Sequence, residues 1–158
     1  MVARTPRSIF GSTMTIPFES LRLEPIGYLA SPLRDRKDAP RQGYGGAPDA
    51  WLEILPRFAE ALHGLAVGDE IYVFTWLHLA DRNVLQVHPG RDASKPLRGV
   101  FATRSPDRPN PIGLHPVTIR EITGVRLLVG PIEAVDGTPV LDIKPVLRRS
   151  GAPHESAR

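Results

Sequence analysis

The chain has 158 residues, 41% of them hydrophobic, and no cysteine. This fits one domain with a sizeable core and excludes a disulfide scaffold, a thiolate metal site and a cysteine nucleophile. The 17 prolines and 14 glycines argue against an all-helical chain, no apolar run approaches the roughly 20 residues that span a bilayer, and the formal charge of +3 is compatible with a polyanionic partner.

In chain order, residues 1–20 interleave Arg4, Arg7, Ser8, Ser12 and Thr13 with little apolar periodicity. They read as a disordered extension, or as sequence upstream of a start at Met14, without the apolar stretch of a secretory signal. The folded domain is expected over 21–149. Leu23–Leu29 reads as an edge strand, because Pro25 cannot donate to a ladder. Ser31–Pro48 is a polar, Pro- and Gly-rich loop long enough to be functional or disordered. Trp51–Leu55 is a short apolar segment, and Pro56 suits the first turn of a helix running to His63. Gly68-Asp69 turns into Glu70–Leu77, a β-branched and aromatic strand. Asn83–Val87 reads as its neighbour and Gly99–Thr103 as another short strand. His115–Ile122 alternates, with Val117 and Ile119 on one face. Thr123-Gly124 turns the chain into Val125–Val129, and Asp136-Gly137 turns it into Val140–Ile143. Residues 150–158 are a polar tail. Short strands at close spacing with one short helix predict a mostly β fold, a compact antiparallel barrel.

The segment from Gly99 to Leu114, GVFATRSPDRPNPIGL, carries the most chemistry. Three prolines within Pro106–Pro111 stiffen it and lower the entropy of holding one shape. Arg104 and Arg108 set fixed positive charge beside hydroxyl and amide groups, and Gly113 lets backbone approach a ligand. Both a binding loop and a structural cross-over with surface arginines fit that pattern. The histidines 63, 78, 88, 115 and 154 lack the usual metal-ligand spacings, and no metal is required. Phe74 and Trp76 read as core residues.

The same segment resembles the signature of the TrmO/TsaA-like family. Three further stretches agree in order and spacing: Ala39-Pro40-Arg41-Gln42, Thr75-Trp76-Leu77-His78, and Leu141–Pro145 following Asp136–Pro139. The similarity covers Leu23 to Leu147. It implies a β-barrel methyltransferase that binds S-adenosylmethionine near a homodimer interface in the cytoplasm. The family's characterised activity is N6-methylation of threonylcarbamoyl-adenosine beside the tRNA anticodon. The Gly-rich strand-to-helix loop of other methyltransferases is absent, so the cofactor follows from the resemblance alone.

Carried over by position, the resemblance implies a cofactor site of Pro40, Arg41, Gln42, His78, Leu79, Arg104, Leu114, Asp136, Gly137 and Thr138. Arg41 or Arg104 would pair with the cofactor carboxylate, Gln42 would read its adenine edge, and Leu79 and Leu114 would cover its apolar faces. His78 or Asp136 is the candidate for orienting N6–H, with Asp81 a rival. Arg34, Arg36, Lys37 and Arg108 are candidate RNA contacts; Arg91, Lys95 and Arg98 form a second basic cluster.

The match departs from the family in three places. A C-terminal domain common in members acting on tRNA is expected to be absent. Gly43 stands where many members have proline. Val146-Leu147-Arg148 lacks the usual aromatic and acidic residues. These departures keep two other functions open: a methyltransferase of the same fold with another RNA or small-molecule acceptor, and a non-catalytic barrel that binds RNA or cofactor.

Overall fold

The computed structural model describes residues 22–147. The expected extension at 1–20 and the tail at 150–158 lie outside these residues. Eight strands form: β1 (Gly27–Ala30), β2 (Ala50–Ile54), β3 (Glu70–Trp76), β4 (Gln86–Val87), β5 (Arg98–Gly99), β6 (Ile112–Thr123), β7 (Arg126–Gly130) and β8 (Pro139–Pro145). Six close into an antiparallel barrel in the order β1-β2-β7-β6-β3-β8, and β4 and β5 form a separate two-stranded ribbon.

Period-two patterning explains the barrel. Ile71, Val73 and Thr75 of β3 point inward, as do Gly113, His115, Val117 and Ile119 of β6. Leu52 and Ile54 of β2, Leu127 and Val129 of β7, and Val140 of β8 complete an almost wholly buried core. After β7, Ile132 and Ala134 join that core. The hydrophobic effect favours this arrangement because inward positions leave water while the alternate positions stay partly wet. A register shift between Ile119 and Glu121 leaves Arg120 unpaired opposite β7, a bulge that accommodates the bend of the long β6.

Several expectations are corrected. The first strand starts at Gly27, beyond Pro25, and is not an edge: it pairs with both β2 and β8, because closure removes edges. The segment at 51–55 is the barrel strand β2. The expected helix is a 3₁₀ segment, Pro56–Leu62, with i→i+3 bonds such as Phe58 N–H to the Leu55 carbonyl (2.9 Å). It has no side-chain cap, and Phe58 and Leu62 pack it onto the core as a tight connector. The strand expected beside Glu70–Leu77 is not its neighbour: it shrinks to Gln86–Val87 and pairs with Arg98–Gly99, while β3 pairs with β6 and β8. The Asn83 N–H is instead captured by the Asp81 carboxylate (2.9 Å) in an Asx turn. The strand expected from Gly99 gives way to a 3₁₀ turn at Val100–Ala102, closed by the Thr103 hydroxyl donating to the Val100 carbonyl (2.9 Å). Phe74 and Trp76 lie on the outer face of β3, not in the core.

Antiparallel alternation decides where the loops fall. The connections β1–β2 (31–49), β3–β6 (77–111) and β7–β8 (131–138) all leave from one mouth of the barrel. The β2–β3 connection and the tight β6–β7 turn close the other. All the expected site residues except Leu114 therefore lie in connections at one end, and Leu114 is the third residue of β6, which starts at that mouth.

Candidate functional site

The β7–β8 turn is built first, by local polar chemistry. Gly137 has φ 75°, a left-handed conformation that glycine adopts without strain. The Thr138 hydroxyl, almost fully buried, donates to the Val135 carbonyl (2.6 Å). Asp136 accepts the Ser31 N–H (2.9 Å) and pairs with Arg34, while Gly137 N–H donates to the Leu29 carbonyl (2.7 Å). The turn is thereby fastened to the end of β1 and the start of the 31–49 loop.

A second knot ties the other two loops together. Arg36 donates to the Leu79 carbonyl and to the Asp107 carboxylate, both at 2.9 Å, and Asp107 also accepts the Asp81 N–H at 2.8 Å. Partial burial by itself raises the Asp107 pKa, but the Arg36 bond, the Asp81 amide and the nearby Arg36 and Arg91 charges outweigh it, so the group lies below its ordinary value. Arg82 stacks on Trp76 (5.2 Å) and donates to the Pro109 carbonyl (2.8 Å). Arg108 donates to the carbonyls of Ser105, Val100 and Thr103 at 2.7, 2.9 and 2.6 Å. The stiff loop read from its prolines is thus also clasped from inside by an arginine.

The expected site residues separate into three groups. Gln42, His78 and Arg104 are exposed, and their side chains make no hydrogen bond or ion pair among the described residues. Leu79 is 50% exposed beside them in sequence, and Pro40 is half-buried. Arg41 instead reaches the Gly90 carbonyl, and Asp136 and Thr138 are committed to their turn. Leu114 stands on the outer face of β6 opposite Phe74, and no hydrogen bond joins Arg41 or Gln42 to His78 or Arg104 among the described residues. Of the basic candidates, Arg34 and Lys37 are 72% and 77% exposed, whereas Arg36 and Arg108 brace loops.

Sequence reasoning missed Asp107, which joins the loops, and the pair of buried His115 with half-buried Glu133 (2.9 Å). A signal for His115 existed: it is a polar residue at an inward position of an alternating strand. Asp107 carried none, because its partners are remote in sequence. A shallow concavity of about 310 Å³ lies at the opposite mouth, lined by Gly68, Asp69, Glu70, Pro145 and Val146, and none of the expected site residues lines it. Among the described residues no cluster of His, Asp and Glu is arranged to hold a metal, and no helix is long and apolar enough to cross a membrane.

Residues 28–151 match the domain family described as tRNA-methyltransferase O N-terminal domain. The chain belongs to this TrmO N-terminal domain family. A protein of Methanothermobacter thermautotrophicus named "Probable S-adenosyl-L-methionine-binding protein" is 46% identical over 125 residues, 79% of this chain and 89% of that one. An "S-adenosyl-L-methionine-binding protein" of Archaeoglobus fulgidus is 43% identical over 122 residues, 77% of this chain and 86% of the other. The solved structure of TrmO from Pseudomonas aeruginosa superposes with a TM-score of 0.66 at 31% identity, covering 87% of this chain and 61% of that one. The chain therefore spans about three-fifths of the solved TrmO chain and most of the length of the archaeal relatives. The barrel, with its motif loops at one mouth, is the architecture expected of a TrmO-family domain.

Proposed function

We propose that this chain is an S-adenosylmethionine-dependent methyltransferase acting on N6 of (threonylcarbamoyl)adenosine next to the anticodon of cytoplasmic tRNA, and that it works as a homodimer. The observation that carries the reading is the convergence of three loops on one mouth, with Gln42, His78 and Arg104 left without side-chain partners among the described residues. Membership of the TrmO N-terminal domain family and the names of the archaeal relatives support the cofactor and the reaction class.

The donor set suits S-adenosylmethionine. Arg104 offers a planar fork for a carboxylate, the Gln42 amide has both donor and acceptor for an adenine edge, and half-exposed Leu79 provides apolar cover. Bound there, the cofactor supplies an activated methyl group. The chain contributes position: the clasped Arg104–Pro111 loop and the Arg36–Asp107 knot hold the recognition groups in place before the acceptor arrives, and correct positioning is worth about 7–11 kcal/mol of a barrier. His78, whose ring nitrogens meet no partner among the described residues, orients or accepts the N6 proton. Asp136 shapes the adjoining turn, its carboxylate already filled by Ser31 and Arg34. Arg34 and Lys37, exposed although paired with Asp136 and Asp35, would exchange those carboxylates for phosphates.

Thermal unfolding with S-adenosylmethionine tests the cofactor. Saturation at 100 times the dissociation constant stabilises by about 2.7 kcal/mol, several degrees for a domain of this size. Arg104→Ala is expected to lose the shift. His78→Ala is expected to keep it while methyl transfer falls about 10²- to 10⁴-fold; an unchanged turnover sinks the role of His78. No shift in the native protein rejects the cofactor site. Transfer to tRNA is expected to weaken steeply as salt rises, because phosphate contacts release counterions. A salt-insensitive affinity argues for a small-molecule acceptor instead.

A further inference from the structure

A polar chain crosses the top of the barrel where apolar residues would otherwise pack. The Thr75 side chain of β3 is fully buried and its hydroxyl meets His115 Nε2 of β6 at 2.8 Å. His115 is 3% exposed, and its Nδ1 meets Glu133 Oε1 at 2.9 Å. A carboxylate only accepts, so Nδ1–H is the donor in the His115–Glu133 pair, and Nε2 and the Thr75 hydroxyl share the other hydrogen bond. The order hydroxyl–imidazole–carboxylate is that of a nucleophilic triad, but no substrate can reach a fully buried Thr75. Room for the chain is made by Gly113: a Cβ there would collide with the Thr75 hydroxyl and lie 2.6 Å from His115 Nε2.

The outer end of this chain touches a motif loop. A Cβ on Gly43 would lie 2.7 Å from the Pro131 carbonyl oxygen and 3.3 Å from Glu133 Oε2. The 3₁₀ turn Gly43–Gly45 therefore sits directly on the Pro131–Glu133 segment, close enough that only glycine fits at its first position. The same loop is fastened again at Pro48, whose carbonyl accepts the Ile132 N–H (3.0 Å). Gln42 immediately precedes the turn, and its carbonyl accepts the Gly45 N–H (2.9 Å).

We propose that Glu133, held by His115 and Thr75, is a positioning residue: beside the Pro131 carbonyl its carboxylate forms part of the floor under Gly43, and through the Gly43–Gly45 turn it aims Gln42 at the cofactor. The effect on cofactor binding rests on the function proposed above; the seating of the turn does not. An apolar residue at 133 would leave the buried imidazole without an acceptor, and the imidazole would recruit water or rotate. Glu133 would then no longer define one position for Gly43.

Two measurements on the full chain separate these layers. Hydrogen exchange is followed at the Gly45 and Ala47 amides, which close the turn onto the Gln42 and Gly43 carbonyls, and at the barrel amides of Leu29 and Ile119. Glu133→Leu, which removes the acceptor, and, as a second route should it fold poorly, Thr75→Val are expected to speed exchange at Gly45 and Ala47 about tenfold, the loss of roughly one hydrogen bond. The barrel amides are expected to stay within about twofold, and Thr75→Ser is expected to behave like the native chain. The same variants are expected to raise KM for S-adenosylmethionine about tenfold with little change in kcat, the signature of lost ground-state positioning. Unchanged exchange at Gly45 and Ala47 overturns the seating. Faster exchange with an unchanged KM overturns the claim that the turn aims Gln42. A native chain that binds no S-adenosylmethionine removes the proposed function and leaves the exchange result to decide the seating alone.

Discussion

Asp107→Ala is expected to lower stability by about 1–2 kcal/mol, a few degrees in melting temperature, and to weaken S-adenosylmethionine binding more than a surface substitution would. The change removes two acceptor contacts at once, leaving Arg36 without its anion and the Asp81 N–H without an acceptor. Because Arg36 also holds the Leu79 carbonyl, the 31–49 loop, the turn carrying His78 and the rigid loop carrying Arg104 lose their common tie. The figure stays modest because Arg36 and Asp107 side chains are 34% and 26% exposed, so water replaces part of what is lost. Asp107→Asn retains one acceptor oxygen and is expected to fall between. The pH dependence has a definite sign. The folded-state pKa is depressed, so the carboxylate contributes its stability in full above the ordinary aspartate value of about 3.9. That contribution is lost as pH falls through the lowered folded value. Melting curves of the native chain and Asp107→Ala should therefore converge in acid; a constant gap between them would show that the ionised carboxylate is not what ties the loops.

Gly27→Ala is expected to be the costlier single methyl, at about 1–3 kcal/mol or more. A Cβ at Gly27 would press into the Glu53 carbonyl oxygen and lie 2.9 Å from the Ile54 Cα. Both atoms are backbone, so no side chain can swing aside, and β1 must separate from β2 or distort. β1 is also the strand that closes the barrel onto β8. Its far end receives the Gly137 N–H and leads to Ser31, whose N–H holds Asp136. Hydrogen exchange should consequently quicken at Leu29, which donates to the Thr138 carbonyl, before it does at Ile119 across the barrel. Uniform loosening, or a melting temperature equal to that of the native chain, would show that β1 and β2 have room to spare.

Sequence alone determined the parts of this protein that depend on local rules. Alternation marked Val117 and Ile119 as one-faced, and both line the core, as do Ile71 and Val73 of the strand read from its β-branched and aromatic residues. Gly68, Gly124 and Gly137 were read as turns, and each has the positive φ that favours glycine. The proline-rich stiffness of the 104–111 loop was also legible, as was the family signature itself, which needs no coordinates. Tertiary structure alone decided what depends on partners remote in the chain. Pro25 suggested an edge strand, but closure gave β1 two neighbours. Arg36, Arg104 and Arg108 look alike in sequence, yet one ties loops, one has no side-chain partner among the described residues and one clasps its own loop, because a guanidinium's role is set by whichever acceptors the fold brings within about 3 Å. Asp107 meets Arg36 across 71 positions and Thr75 meets His115 across 40. Such contacts follow from strand order and register, which alternation within any one strand does not specify.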